Sequence, residues 1–268
     1  MSIPVIKASR LSNAGPGAPV LIAGPSLGTA ALPLWSRTAA ALDTFTVIGW
    51  DLPGHGASPA AGEAFSIEEL AAAVAALVRG ARSTGEISGP VFYAGVSLGG
   101  AVGLQLGLDE GTLFDGLAVL CSGAKIGEAR AWEERAHTVR TQGTPTQVVG
   151  SGQRWFAPGF MEREPAAAAA LLHSLQDADR FSYAYCCSAL AGFDVRERLA
   201  DVTVPVLAVA GAGDTVTPPP FARLIAERVA NGTAAVVDGA AHLVPAEQPA
   251  ETAQLLKDFF GRQYLEGK

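Results

Sequence analysis

Residues 90–100 read Pro90-Val91-Phe92-Tyr93-Ala94-Gly95-Val96-Ser97-Leu98-Gly99-Gly100, and the chain continues Ala101-Val102-Gly103-Leu104-Gln105-Leu106. An apolar run of strand length enters a G-x-S-x-G turn, and a helical pattern leaves it. That context is the signature of a nucleophile elbow, in which a strained turn lifts a serine above a sheet. Glycines flank such a serine because a Cβ there would collide with the neighbouring strand or helix. A glycine-rich turn with an incidental serine is the competing reading, and the strand–turn–helix context outweighs it. Ser97 is the candidate nucleophile.

The same alternation extends in both directions. Residues 19–24, 45–51, 117–121, 204–210 and 234–237 are further short apolar runs. Runs without polar alternation suit parallel strands buried on both faces. Between them, Ser66-Ile67-Glu68-Glu69 is a capping box opening a helix through Leu70, Val74, Leu77 and Val78. Strands alternating with helices predict an α/β fold with a doubly wound, mostly parallel sheet. From Ser122 to Asp201 no strand-like run occurs, and an alanine run at 166–170 continues through Leu171, Leu172 and Leu175 at helical spacing. The expected organisation is a core of residues 1–121 and 202–268 with a helical cap inserted at 122–201.

Composition narrows the function classes. The 268 residues are 49% hydrophobic and 17% charged, with a net charge of −7. An acidic chain offers no electrostatic footprint for nucleic acid and no cationic face for an anionic membrane. Residues 11–36 carry no charge, but Pro16, Pro19, Pro25 and Pro33 would leave backbone groups unsatisfied in lipid. The first seven residues show no basic segment leading into an apolar run, so no signal peptide is expected. Cys121 and the adjacent pair Cys186 and Cys187 are too few for a disulfide framework, which suits a reducing, cytoplasmic setting.

A serine hydroxyl needs a base. His55 lies in the turn Pro53-Gly54-His55-Gly56, while His137 and His173 fall in the cap, where surface positions are the default. His242 follows the last apolar run, on a loop that opens at the carboxyl rim of a doubly wound sheet, beside Ser97. His242 is the candidate base. Asp214 follows the run ending at Ala210 and reaches the same rim, although a loop Asp in an Asx turn is common. Asp238 and Asp201 are weaker candidates. The order Ser97, Asp214, His242 differs from that of the chymotrypsin and subtilisin triads. A tetrahedral oxyanion needs two N–H donors. Leu98 supplies one, and Leu27, with Ser26 as alternate, supplies the other; Pro25 has no N–H.

These features resemble the α/β-hydrolase superfamily over nearly the whole chain. Within it the chain is most similar to the 3-oxoadipate enol-lactonases of bacterial aromatic-acid catabolism. The carrying segments are Pro25-Ser26-Leu27-Gly28-Thr29 with Trp35, residues 50–58, residues 95–100, Arg154-Trp155-Phe156-Ala157-Pro158 and residues 191–196. The second and third are widespread among hydrolases. The Ser-Leu-Gly-Thr oxyanion segment and Arg-Trp-Phe are more telling, Pro25 stands where that family carries a small polar residue, and Asp194 reads as structural. The resemblance implies ring opening of a five-membered enol-lactone bearing an acetate arm, through an acyl-enzyme and without metal or organic cofactor. A carboxylesterase or carbon–carbon bond hydrolase with the same triad is the alternative, and a non-catalytic receptor for a small ligand is a further one. Whether the chain is a monomer or a homodimer stays open.

The implied substrate is an anion, and burying its carboxylate unpartnered would cost several kcal/mol. The cap must then supply a cation. Arg135 ranks first, one helical turn past Trp132 so that both can face the site. Arg154 beside Trp155, Arg140 and Arg180 are the other candidates, with a solvated surface position the default for each. Trp132 and Trp155 are expected to wall the ring, unless they are simply cap core.

Overall fold

Seven segments become strands in the computed structural model, which describes residues 3–266, with side-chain surroundings through residue 262. Residues 1–2 and 267–268, assigned to the core by sequence, lie outside the described residues. The strands are β1 (Lys7–Arg10), β2 (Val20–Gly24), β3 (Thr46–Asp51), β4 (Val91–Val96), β5 (Gly116–Leu120), β6 (Val206–Gly211) and β7 (Gly232–Val237). They form one sheet in the order β1-β3-β2-β4-β5-β6-β7. Every neighbouring pair is parallel except β1 with β3. β2 to β6 are buried at every position, as central strands covered on both faces must be.

Both edges depart from the sequence reading. β1 was not expected, because Lys7-Ala8-Ser9-Arg10 is fully exposed and carries no apolar pattern; pairing with β3 alone makes it a strand. At the other edge, β7 begins at Gly232 rather than Ala234, and only Val237 is buried. An edge strand has one neighbour, so its outer positions meet solvent.

Helices α1 (Ala31–Ala41), α2 (Ile67–Ser83) and α3 (Leu98–Asp109) flank the first half of the sheet. The capping box forms: the Glu69 N–H donates to Ser66 Oγ (3.2 Å), and the Ser66 N–H donates to the Glu69 carboxylate (2.9 Å). Between β5 and β6, which are neighbours in the sheet, the described residues contain no strand. That segment holds α4 (Ala129–Gln142), α5 (Val148–Trp155), α6 (Phe160–Arg163), α7 (Pro165–Asp177) and α8 (Arg180–Gly192). α4 packs along α8, and a short 3-10 helix (Arg196–Asp201) returns the chain against α3. The second half of the sheet is flanked by α9 (Pro219–Arg228), α10 (Val244–Glu247) and α11 (Pro249–Glu266). Phe92 of β4 stacks on Phe260 of α11 with centroids 4.5 Å apart, locking that helix to the centre of the sheet. No described helix is long and apolar enough to cross a membrane.

Candidate active site

Ser97 occupies the single residue between β4 and α3, with φ 55° and ψ −111°. A side-chain-bearing residue in that region stores roughly 1–3 kcal/mol of strain and persists only where its surroundings hold it. They do so here. The Ser97 N–H donates to the Leu120 carbonyl (2.9 Å), and the Ser97 carbonyl accepts from Ser122 Oγ (2.7 Å). A Cβ on Gly95 would run into the Gly99 carbonyl, and one on Gly99 would lie 2.5 Å from the Pro25 carbonyl oxygen. The two glycines thus let strand, helix and the loop after β2 close around the serine.

Asp214 follows β6, and His242 follows β7. Because β4, β6 and β7 run in one direction, all three residues leave the sheet at its carboxyl rim. His242 Nδ1 stands 2.8 Å from Asp214 Oδ2, with both residues buried. Asp214 Oδ1 accepts from the N–H groups of Val216 (2.8 Å) and Thr217 (3.1 Å), and Oδ2 also accepts from Thr217 Oγ1 (2.8 Å). Burial alone would raise the Asp214 carboxyl. The hydrogen bond and charge of His242, with the Thr217 donors, outweigh it and leave the group below its ordinary value. Asp201 and Asp238 are exposed, as are His137 and His173. His55 is buried beside the Pro53 carbonyl (Nδ1 2.9 Å away) and stacks on Tyr183, so it is a turn and packing residue. Asp194 pairs with Arg196 at the surface.

In the loop after β2 the candidate donors separate. The Ser26 N–H is engaged by Thr29 Oγ1 (3.0 Å), whose own hydroxyl donates to the Ser26 carbonyl (2.9 Å). Ser26, the alternate oxyanion donor by sequence, is therefore not free to serve. The N–H groups of Leu27 and Leu98 form no hydrogen bond among the described residues. Pro25 keeps the loop in place through its carbonyl, which accepts from the Gly99 N–H (3.0 Å).

The helical segment reaches this rim through Trp155. A Cβ on Gly28 would lie 3.4 Å from Trp155 Cη2, and the Trp155 carbonyl accepts from the His242 N–H (3.1 Å). Trp132 is half-buried and donates through Nε1 to the Ile126 carbonyl. The Arg135 guanidinium lies 5.5 Å from the Trp132 ring centroid and 5.6 Å from that of Tyr183. Burial and the charge of Arg135 hold the Arg154 guanidinium below its ordinary value. Burial pushes the Tyr183 hydroxyl up, while both arginines pull it back. Among the described residues neither Arg135 nor Arg154 has a carboxylate partner, and Arg135 Nε and Tyr183 Oη are buried without any hydrogen bond. Arg140 and Arg180 instead face the rings of Tyr185 and Phe181. Sequence reasoning missed Tyr183, whose helical neighbours carry no distinguishing signal, and Glu247, a buried carboxylate one turn past His242.

Cys121 Sγ, an Asp214 oxygen and a His242 nitrogen lie within 4.8 Å of one another. They suit a metal poorly. Asp214 and His242 already bond each other, and burial pushes the Cys121 thiol well up, away from the thiolate a metal requires.

A mostly parallel sheet with a strained serine elbow and a buried Asp–His pair at its carboxyl rim defines a class of enzyme. Residues 20–255 match the model of the alpha/beta hydrolase family, and the chain belongs to that family as a hydrolase. The 3-oxoadipate enol-lactonase 2 of Acinetobacter baylyi is 37% identical to it over 232 residues, covering 86% of this chain and 84% of the relative. The 3-oxoadipate enol-lactonase 1 of the same organism is 31% identical, covering 92% and 90% of the two chains. Among solved structures, the enol-lactonase from Burkholderia xenovorans LB400 matches with a TM-score of 0.86 at 28% identity, over 96% of each chain.

Proposed function

We propose that this hydrolase opens the ring of 3-oxoadipate enol-lactone to give 3-oxoadipate, as a cytoplasmic enzyme of aromatic-acid catabolism. Ser97 Oγ attacks the ring carbonyl while His242 Nε2 takes its proton and Asp214 stabilises the imidazolium. The N–H groups of Leu27 and Leu98 receive the oxyanion. Collapse breaks the ring C–O bond, and His242 returns its proton so that the leaving oxygen departs as an enol, which becomes the ketone. Water, deprotonated by His242, then cleaves the acyl-enzyme.

One observation carries the choice of an anionic lactone over a neutral ester. In a protein of net charge −7, the Arg135 guanidinium lies against the Trp132 and Tyr183 rings with its Nε buried and unbonded, and among the described residues no carboxylate pairs with it. A part-buried cation without a partner is costly unless an anion joins it. The acetate arm of the lactone supplies it, with residues 122–201 acting as the cap and Trp132 and Trp155 walling the ring. The names of the relatives support the same substrate. Assaying the enol-lactone beside a panel of p-nitrophenyl esters tests the reading. It predicts a kcat/KM for the lactone orders of magnitude above that for neutral esters; the reverse order makes the chain a carboxylesterase.

A further inference from the structure

Glu247 ends α10, one turn past His242, and is buried. Its Oε1 accepts from the N–H groups of Ala241 (2.8 Å) and Leu243 (3.3 Å), the two residues that flank His242. Its Oε2 accepts from the N–H of Ala157 (2.6 Å), at the end of the Trp155-Phe156-Ala157 turn. The His242 N–H donates to Trp155 in the opposite direction (3.1 Å). Two hydrogen bonds therefore cross between the histidine loop and the helical segment, and the same turn places Trp155 against Gly28 of the oxyanion loop. From beneath, Cys121 Sγ donates to the Ala241 carbonyl (3.5 Å).

We propose that Glu247 is a positioning residue that clamps the backbone on both sides of His242 and ties it to the Trp155–Ala157 turn, so that base and cap hold their places together. The proposal rests on the reading of His242 as base. A surface loop would not need a buried carboxylate, and burial does push Glu247 above its ordinary range even though three N–H donors and His242 pull it down. The titratable groups coupled to it are His242 and Cys121. α1 and α11, packed on α10, meet that helix through the hydroxyls of Thr38 and Thr252.

The test is p-nitrophenyl acetate hydrolysis by Glu247→Gln, Glu247→Asp and His242→Ala, each checked for a native circular dichroism spectrum. Glu247→Gln is expected to lower kcat roughly ten- to a hundredfold, the scale of a small misplacement of a catalytic group. Its KM should stay within about twofold. Glu247→Asp keeps the carboxylate but shortens its reach, so kcat should fall less, again at constant KM; it decides the matter if Glu247→Gln does not fold. Wild-type kcat in the folded variants, or a loss carried by KM instead of kcat, overturns the proposal. An active His242→Ala would instead overturn the underlying choice of base, which separates the two failures.

Discussion

The Nδ1 of His242 lies 2.8 Å from Oδ2 of Asp214, and the carboxylate is fixed from behind by Val216 and Thr217. Such a carboxylate holds the imidazole in the tautomer that presents Nε2 as acceptor. Asp214→Asn therefore is expected to reduce kcat about 10⁴-fold with little change in fold. Asp238→Asn, at an exposed position, should match wild type. Steady-state kinetics on both variants distinguish the two carboxylates.

In the loop proposed to hold the oxyanion, the Thr29 hydroxyl both accepts from the Ser26 N–H and donates to the Ser26 carbonyl. Thr29→Val preserves the shape and removes both bonds, freeing the loop to shift the Leu27 N–H. The expected result is a fall in kcat of roughly ten- to a hundredfold on lactone and ester alike, with KM nearly constant.

On the proposed reading, Arg135 recognises the charge of the substrate and takes no part in the chemistry. A charge-assisted hydrogen bond to a carboxylate is worth about 1.5–3 kcal/mol. Arg135→Ala is therefore expected to raise KM for the enol-lactone roughly ten- to a hundredfold and to leave KM for a neutral p-nitrophenyl ester unchanged. Equal losses on both substrates would assign Arg135 to the support of Trp132 and Tyr183, which it touches.

Two buried carboxyls give stability opposite pH dependences. Asp214 is depressed below 3.8, so the stability it contributes is present above that pH and is lost as pH falls through its folded value. Glu247 is raised above 4.5, so stability falls as pH rises from 4.5 through its folded value. Thermal melts across pH 3 to 7, on the order of that window, should show Glu247→Gln losing the second slope and Asp214→Asn the first.

Much of the architecture is legible in the chain because central parallel strands leave unbroken apolar runs, and the elbow leaves two glycines around a serine. Asp214 and His242 were legible by place, each following a run that ends at the carboxyl rim. β1 was not, since Lys7-Ala8-Ser9-Arg10 owes its conformation to pairing with β3 rather than to its own pattern. The engagement of the Ser26 N–H by Thr29 and the seat of Arg135 between the Trp132 and Tyr183 rings are tertiary facts, set by how a loop closes and how α4 packs on α8. Tyr183 and Glu247 escaped because their surroundings are tertiary: Tyr183 meets His55 and Arg135, and Glu247 reaches Ala157 as well as the backbone beside His242.

The most direct measurement of the central claim follows ring opening of 3-oxoadipate enol-lactone by the wild-type protein and by Ser97→Ala under identical conditions. The account predicts cofactor-independent turnover by the wild type and a loss on the order of a millionfold in the folded variant, the scale of a nucleophile knockout. A Ser97→Ala protein that kept most of its turnover, or a wild type that left the lactone intact while cleaving neutral esters, would contradict it.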